Sequence, residues 1–574
     1  MDRRSGPGVA TPLELTSRYG DDPILGVRLG HPLADRGFEF LMRDILQAAL
    51  APEDATAWRR MLVEPPGPEA LAAALAPYRE TFRLDHPTHP ALQVRPAPER
   101  LAEAAAKKPA RKPASEAEED GEEEEAGALP IAALLPDLPT GEAVKKDADF
   151  FIRRGSVTAI GAGPILPVLY AHMVLFPPGG GGYLGLPHGA DSIKFQLIGR
   201  TLWETIWLNV LTRGAEGGGD AVWPARPDDP TAFPWLDPAL PGMPLGRKED
   251  GAARPMNRAA LHPAHIPMPR RYLLAPPVQG RCDLTGREGP VFTGYSRWPK
   301  GLQYQPDGWW FPAMVRIEDA AKPDAPPQFL RARGPLRFDD WLESAMLKDE
   351  ERAPDRKDRP QGKVRRLPPV LRQFKAGAAG AAELSDGGTR ATALMEDGSV
   401  RVRVFAQYPF GKAVGGMSQR ELPLWHLPAE RQSWLGEVVS KDVGRVKEMA
   451  GALQISVRAA VTKGRRDGSA ALADTLGDAL LAAVDGQATE HAAALAALAR
   501  DIADRAARQA AATESRTDLL KRTGRLALAL FDEAFPVDPT GVTDKALTSD
   551  DRFSIPAERD RLLGRLGHIL KSDD

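Results

Sequence analysis

The strongest periodic pattern in the chain lies toward its end. Leu435, Val438, Val439, Val443, Val446, Met449, Ala450 and Leu453 recur every three or four positions, which predicts one apolar face of a long helix starting near Glu430. Three more helical segments follow, an Ala-rich one over about 470–512, another over 515–535 and a last over 556–570. Four such segments with short joins predict a helical bundle. Near the start, Phe38, Phe40, Leu41, Ile45, Leu46, Ala49 and Leu50 fall at helical spacing. Two shorter helices are predicted over 54–62 and 68–78, the second with Pro68 at its first turn.

The middle of the chain is mixed. Residues 168–176 are strongly apolar and are stopped by Pro177-Pro178 and four glycines. Ile198, Leu202, Trp203, Ile206, Trp207, Val210 and Leu211 form a stripe that predicts a helix over 198–211. Residues 271–275 and 290–295 read as strands around a turn, and 390–405 as a hairpin through Asp397-Gly398. The predicted class is α+β: a large mixed N-terminal domain over 1–420, then a C-terminal four-helix bundle over 430–574. No internal repeat stands out. Residues 96–127 contain no aromatic residue and cannot support a core, so they read as a disordered insertion.

Composition narrows this picture. A chain of 574 residues is too long for one ordinary domain. Its single cysteine, Cys282, excludes an intrachain disulfide and a cysteine-rich zinc site. No apolar run reaches the roughly 18–20 residues of a membrane span. The start, Met1-Asp2-Arg3-Arg4, has no apolar stretch behind it, so a secretory signal is not expected and the expected location is cytoplasmic, with no membrane partner. The net charge of −3 hides an asymmetry. Eight acids cluster at Glu116, Glu118, Glu119, Asp120 and Glu122 to Glu125; setting them aside takes the charge to +5.

Candidate catalytic chemistry is sparse. The chain lacks Gly-x-x-x-x-Gly-Lys-Ser/Thr, and Pro164 breaks any dinucleotide fingerprint at Gly161-Ala-Gly163. His262-Pro-Ala-His265 offers two nitrogen ligands where a zinc site needs three or four, so these histidines read as structural. No catalytic constellation, metal site or cofactor is expected. Three features point instead toward nucleic acid. Gly179, Gly180, Gly181 and Gly182 would allow close backbone approach to a groove, or form a flexible surface turn. The segment 292–304 mixes cations with aromatics and carries Lys300 on a Pro-Lys-Gly turn, suited to groove insertion or simply exposed. Residues 352–375 hold nine basic residues against Asp355 and Asp358, a concentration that fits phosphate contact as well as a solvated loop.

A family resemblance joins these features. Pro177-Pro-Gly-Gly-Gly-Gly-Tyr183 followed by Leu202-Trp-Glu-Thr-Ile-Trp-Leu-Asn-Val-Leu211 resembles the large subunit (CasA) of the type I-E CRISPR Cascade complex. The resemblance extends to Ala49-Leu-Ala-Pro-Glu-Asp-Ala-Thr-Ala-Trp58, to Leu134-Leu-Pro-Asp-Leu-Pro139, and to Arg270-Arg-Tyr-Leu-Leu274 with Cys282-Asp-Leu-Thr-Gly286. Thr293-Gly-Tyr295 and Trp309-Trp-Phe-Pro312 complete it, and the terminal helices fit the family's bundle. It implies a non-catalytic subunit of an RNA-guided antiviral complex, binding CRISPR RNA, double-stranded target DNA, the other Cascade subunits and a helicase-nuclease. Such a subunit recognises the protospacer-adjacent motif, starts strand separation and aids R-loop formation.

Carried over by position, the resemblance assigns motif binding to Gly179–Gly182 and Lys300, and RNA-handle contact to Phe150. It places the strand wedge in the segment 408–413, where Gly411 and Lys412 stand in place of the usual Asn or Gln. DNA-backbone contact is expected from Arg365, Arg366 and Arg372 within the basic stretch. The alternative is a free-standing scaffold or an enzyme that shares only the helical core.

Overall fold

A computed structural model describes residues 1–106, 129–135, 155–175, 192–215, 221–243, 245, 255–256, 261–298, 303–304, 310–319, 321–322, 325, 327–346, 363–376, 394, 398–410, 413–424, 427–463, 470–536 and 554–571. The chain divides into two compact units. One comprises Met1–Pro335 with Asp349–Glu421; the other comprises Leu336–Lys348 with Leu422–Asp574.

The first unit is built around helix α1 (Pro32–Leu50). Its start is set by Pro32 and by the His31 side chain, which accepts from the Leu33 amide. Helices α2 (Ala55–Val63) and α3 (Pro68–Leu75) follow at the positions the periodicity predicts. Helix α4 (Pro98–Ala106) is a correction: the insertion read as disordered begins with a helix, whose Arg100 donates to the Gly242 carbonyl at 2.7 Å. Most of the remainder, 107–127, lies outside the described residues. Helix α5 (Ala162–Val174) carries the apolar run that precedes the glycines and packs along α1. At Gly37 a Cβ would stand 2.1 Å from the Pro167 carbonyl, so only glycine permits this approach of the two helices.

The stripe over 198–211 folds differently from a single helix. Ile198 ends a strand (Lys194–Ile198), and helix α6 spans only Leu202–Trp207. Its start is fixed by a capping box in which Thr201 accepts from the Glu204 amide and Glu204 reaches back to the Thr201 amide. Single-turn backbone bonds continue to the Val210 amide, and side chains then hold the backbone of 210–212. Asn209 bonds both backbone groups of Leu197, Gln47 both groups of Leu211, and Gln373 the Val210 carbonyl and Thr212 amide. Trp203 and Trp207 stack at 5.2 Å and donate to the Met61 and Trp58 carbonyls of α2. The Leu202–Leu211 element of the resemblance therefore builds core.

Six small sheets surround these helices among the described residues. Strand Lys194–Ile198 pairs antiparallel with the first half of Arg401–Phe410, and Ala413–Pro423 flanks the other side. The hairpin predicted through Asp397-Gly398 is thus displaced: the strand that holds Val402 and Val404 runs from Arg401 on to Phe410, with Lys194–Ile198 on one side and Ala413–Pro423 on the other. Strand Gly294–Trp298 lies between Arg271–Leu274 and Leu129–Pro130. Strand Glu288–Phe292 lies between Val278–Arg281 and Ile160–Gly161, and Arg316–Asp319 between Gln328–Phe329 and Lys363–Arg366. Helix α8 (Pro369–Ala376) follows that last strand.

The second unit contains helix α7 (Phe338–Ala345) and four long helices, α9 (Ala429–Lys463), α10 (Ala470–Asp501), α11 (Arg505–Ala534) and α12 (Ile555–Lys571). All eight residues of the stripe from Leu435 to Leu453 are buried. The Ala-rich segment read as continuous to 512 breaks after Asp501, where Asp504 caps α11 by accepting from the Ala507 amide. The sequence places α7 in the mixed domain, yet it groups with the four long helices. The Phe338 amide donates to Asp485 at 2.6 Å, and Arg337 pairs with Asp478 at 2.7 Å. No helix among the described residues is long and apolar enough to cross a membrane.

Candidate nucleic-acid interface

Most predicted site residues lie outside the described residues: Phe150, Gly179 to Gly182, Lys300, Gly411 and Lys412. The elements that lead into three of them are described. Gly179 follows the C-terminal end of α5, Lys300 follows strand Gly294–Trp298, and Gly411-Lys412 joins strands Arg401–Phe410 and Ala413–Pro423.

The hairpin base is held by a polar network centred on buried Glu39 and Gln196. Arg403 donates to Glu421 at 2.9 Å, to Glu39 of α1 at 3.0 Å and to Gln196 at 3.2 Å, while Gln196 donates to Glu39 at 2.8 Å. Burial raises the Glu39 carboxyl above its usual value, against the pull of Arg36. Three elements thus meet at the Glu39 carboxylate, and Arg403 links a fourth through Glu421.

The α5 exit and the strand before Lys300 are tied together through Arg270, His172 and Tyr272. Arg270 donates to the His172 carbonyl at 2.5 Å, one of the four that a helix end leaves without an internal partner. Its guanidinium also lies 3.2 Å from His172 Nδ1, and the Tyr272 hydroxyl lies 2.7 Å from the same nitrogen. A guanidinium only donates, so Nδ1 is an acceptor and the proton of the neutral ring sits on Nε2. Burial, then the charges of Arg270 and Arg297, hold this imidazole well below its ordinary pKa. Tyr272 sits opposite Arg297 in the strand pair, and Arg271 opposite Trp298. Sequence reasoning did not single out these side chains, although Arg270 and Tyr272 belong to the Arg-Arg-Tyr-Leu-Leu element.

The three arginines expected at the DNA backbone do not form one patch. Arg365 and Arg366 are successive in strand Lys363–Arg366, so they project from opposite faces. Arg366 is exposed and donates to Glu318 at 2.8 Å; the same carboxylate takes Arg316 at 2.9 Å, bridging two arginines paired across the strands. Arg372 is half-buried on α8, and desolvation lowers its pKa.

The histidine pair behaves structurally. His262 Nε2 donates to the Val222 carbonyl at 3.1 Å and its Nδ1 accepts from the Ala264 amide, which leaves neither nitrogen for a metal. His265 Nδ1 donates to the Thr231 carbonyl at 2.6 Å. Among the described residues no group of three or more metal-ligating side chains converges. Burial lowers the His265 pKa from 6.5 to about 4. As pH falls from 7 to 5 the unfolded chain protonates this ring while the folded one does not, so stability drops by about 2 kcal/mol. Asp44, raised to about 6 by burial, acts in the opposite sense over this range. The expected result is that His265→Asn loses less stability between pH 7 and pH 5 than the unmodified chain, as read by urea unfolding. Equal losses would contradict it.

In the bundle, His491 lies between a carboxylate and a hydroxyl, with Nε2 2.7 Å from Asp442 and Nδ1 2.8 Å from Ser515. Arg516 also donates to Asp442. The adjoining cavity, lined by Phe338, Leu342, Val446 and Leu519, has a volume of about 10 Å³, room for one water. That space admits no substrate, and Arg516 holds the carboxylate in an ion pair. This arrangement is a polar layer linking α9, α10 and α11.

The architecture is that of an α+β protein with small sheets and a C-terminal helical bundle. A family model for CRISPR-associated protein Cse1 matches residues 1–530, and the chain belongs to that family. Its fold is similar to Cse1 from Acidimicrobium ferrooxidans, with TM-score 0.59, 15% identity, and 100% of this chain and 96% of that chain covered. It is also similar to CasA from Thermus thermophilus, with TM-score 0.54, 17% identity, and 96% and 93% covered. A chain described as a CRISPR RNA-guided surveillance complex matches with TM-score 0.54, 16% identity, and 94% and 91% covered. No curated protein matches.

Proposed function

We propose that this chain is the non-catalytic large subunit of an RNA-guided surveillance complex and reads the protospacer-adjacent motif on double-stranded DNA. The match to the Cse1 family over residues 1–530 carries this reading. In it, Gly179–Gly182 and Lys300 enter the groove beside the target, and the hairpin turn at Gly411-Lys412 stands where the first base pairs part. Phe150 contacts the handle of the CRISPR RNA. The other Cascade subunits are its partners, a helicase-nuclease docks after R-loop formation, and the assembly works in the cytoplasm. Protein reads a short motif while base pairing with the guide reads the rest.

The clamped hairpin supports the wedge assignment physically. A turn that pushes base pairs apart needs a stiff base, and the network of Arg403, Glu421, Glu39 and Gln196 supplies one.

The arginine geometry changes the expected backbone contribution. Arg366 retains exposed guanidinium donors beyond its bond to Glu318, whereas replacing half-buried Arg372 would also disturb packing. Substituting Arg365 and Arg366 together by Ala is expected to lower target affinity and make its salt dependence shallower by roughly one unit per lost phosphate contact. Motif preference is expected to persist, because phosphate contacts position without specifying. Binding of target duplex by the assembled complex across a salt series checks this. An unchanged slope would remove this strand from the DNA path.

A further inference from the structure

The Arg270–His172–Tyr272 cluster joins two parts of the chain that the functional reading needs side by side. His172 is in the last turn of α5, and Gly179 follows seven positions later. Tyr272 faces Arg297 across the strand pair, and Lys300 follows Arg297 by three positions. The cluster therefore lies at the root of both segments. Each of its three side chains is buried, and each is joined to the others directly or through His172.

The chemistry of the joint is directional. The C-terminal end of a helix carries partial negative charge, and the guanidinium of Arg270 sits on it. Two donors, the Arg270 guanidinium and the Tyr272 hydroxyl, converge on the single lone pair of His172 Nδ1. The ring is further held by edge packing against Tyr272 at 5.2 Å, and Tyr272 by Tyr295 at 5.6 Å. A shift of the α5 exit relative to the strand would break charge-assisted bonds inside a buried site, where an unmet polar group is costly.

We infer that Arg270, His172 and Tyr272 are positioning residues for motif reading, fixing the end of α5 against the strand pair Arg271–Leu274 and Gly294–Trp298, the elements from which the chain continues to Gly179 and Lys300. They touch no DNA in this account. They act by limiting how far the end of α5 and this strand pair shift against each other, and a displacement of about 1 Å at a reading contact is enough to blur selection. The inference rests on the proposed motif reading.

The test uses the assembled complex with its CRISPR RNA and a target duplex whose four flanking base pairs are randomised. The readout is the enrichment of preferred over pooled flanks, beside affinity for the single-stranded target, which needs no motif. Tyr272→Phe removes one donor and keeps the ring; Arg270→Lys keeps the charge but not the planar guanidinium, whose one terminal nitrogen donates to both His172 acceptors. Each is expected to lower enrichment several-fold, with single-strand affinity within two-fold of the unmodified complex. Trp58→Phe, which removes a buried bond in α2 far along the chain from both segments, is expected to leave enrichment unchanged. Unchanged enrichment in both assembled variants would overturn the inference, as would parallel losses of enrichment and single-strand affinity. Lys300→Ala separates the two levels. If it lowers enrichment while Tyr272→Phe and Arg270→Lys do not, only the positioning role falls; if it too has no effect, the motif reading itself falls.

Discussion

Replacing Lys300 by alanine is expected to reduce affinity for motif-bearing duplex about ten-fold or more, with a much smaller loss for duplex that lacks the motif. The physical basis is the difference between the two classes of contact. A side chain that reaches base edges is worth about 1–3 kcal/mol of discrimination, whereas a phosphate contact weakens all sequences alike. Lys300, in the sequence Pro299-Lys-Gly301, comes two positions after Trp298, a strand end whose partner Arg271 is buried next to Arg270. Equilibrium binding of paired duplexes by the assembled complex gives the answer. Equal losses for both duplexes would make Lys300 a generic cation.

Substituting Gly180 and Gly181 together by valine is expected to abolish most duplex binding by the assembled complex while leaving assembly intact. A Cβ on each residue thickens the backbone where close approach is needed, and β-branched residues strongly disfavour positive φ. The loss is expected to exceed ten-fold for double-stranded target and to be slight for single-stranded target, which does not require groove approach. Co-purification of the variant with the other subunits establishes assembly, and gel-shift titration with both forms of target reads the effect. Unchanged duplex binding would reduce the glycines to a linker.

The bundle was legible because its stripes are long: eight apolar residues from Leu435 to Leu453 fix one face of α9 without help from the rest of the chain. Its internal break was less so. Alanine favours helix on both sides of residues 502–504, and the one local signal is Asp504 as a cap. The helix predicted over 198–211 failed for a tertiary reason. Gln47 and Gln373 bond the backbone of 210–212 from more than 160 positions away, and no window of sequence carries that information. The same limit hid the joint at α5, where Arg270 and Tyr272 meet His172 across 98 and 100 positions. Resemblance also misleads about role: Leu202-Trp-Glu-Thr-Ile-Trp carries part of the family resemblance, yet its tryptophans are buried and bond α2. The residues that resemblance assigns to DNA sit instead in short Gly-, Pro- and Lys-bearing segments with little periodicity of their own.

The central claim is that this chain makes an RNA-guided complex sensitive to the bases flanking its target. The direct measurement is recovery of target duplexes from a library with randomised flanking base pairs, using complex reconstituted with and without this chain around one CRISPR RNA. The complete complex is expected to retain duplexes sharing a restricted set of flanks, and omission of this chain to abolish the restriction. Recovery of the same flank distribution from both preparations would contradict it.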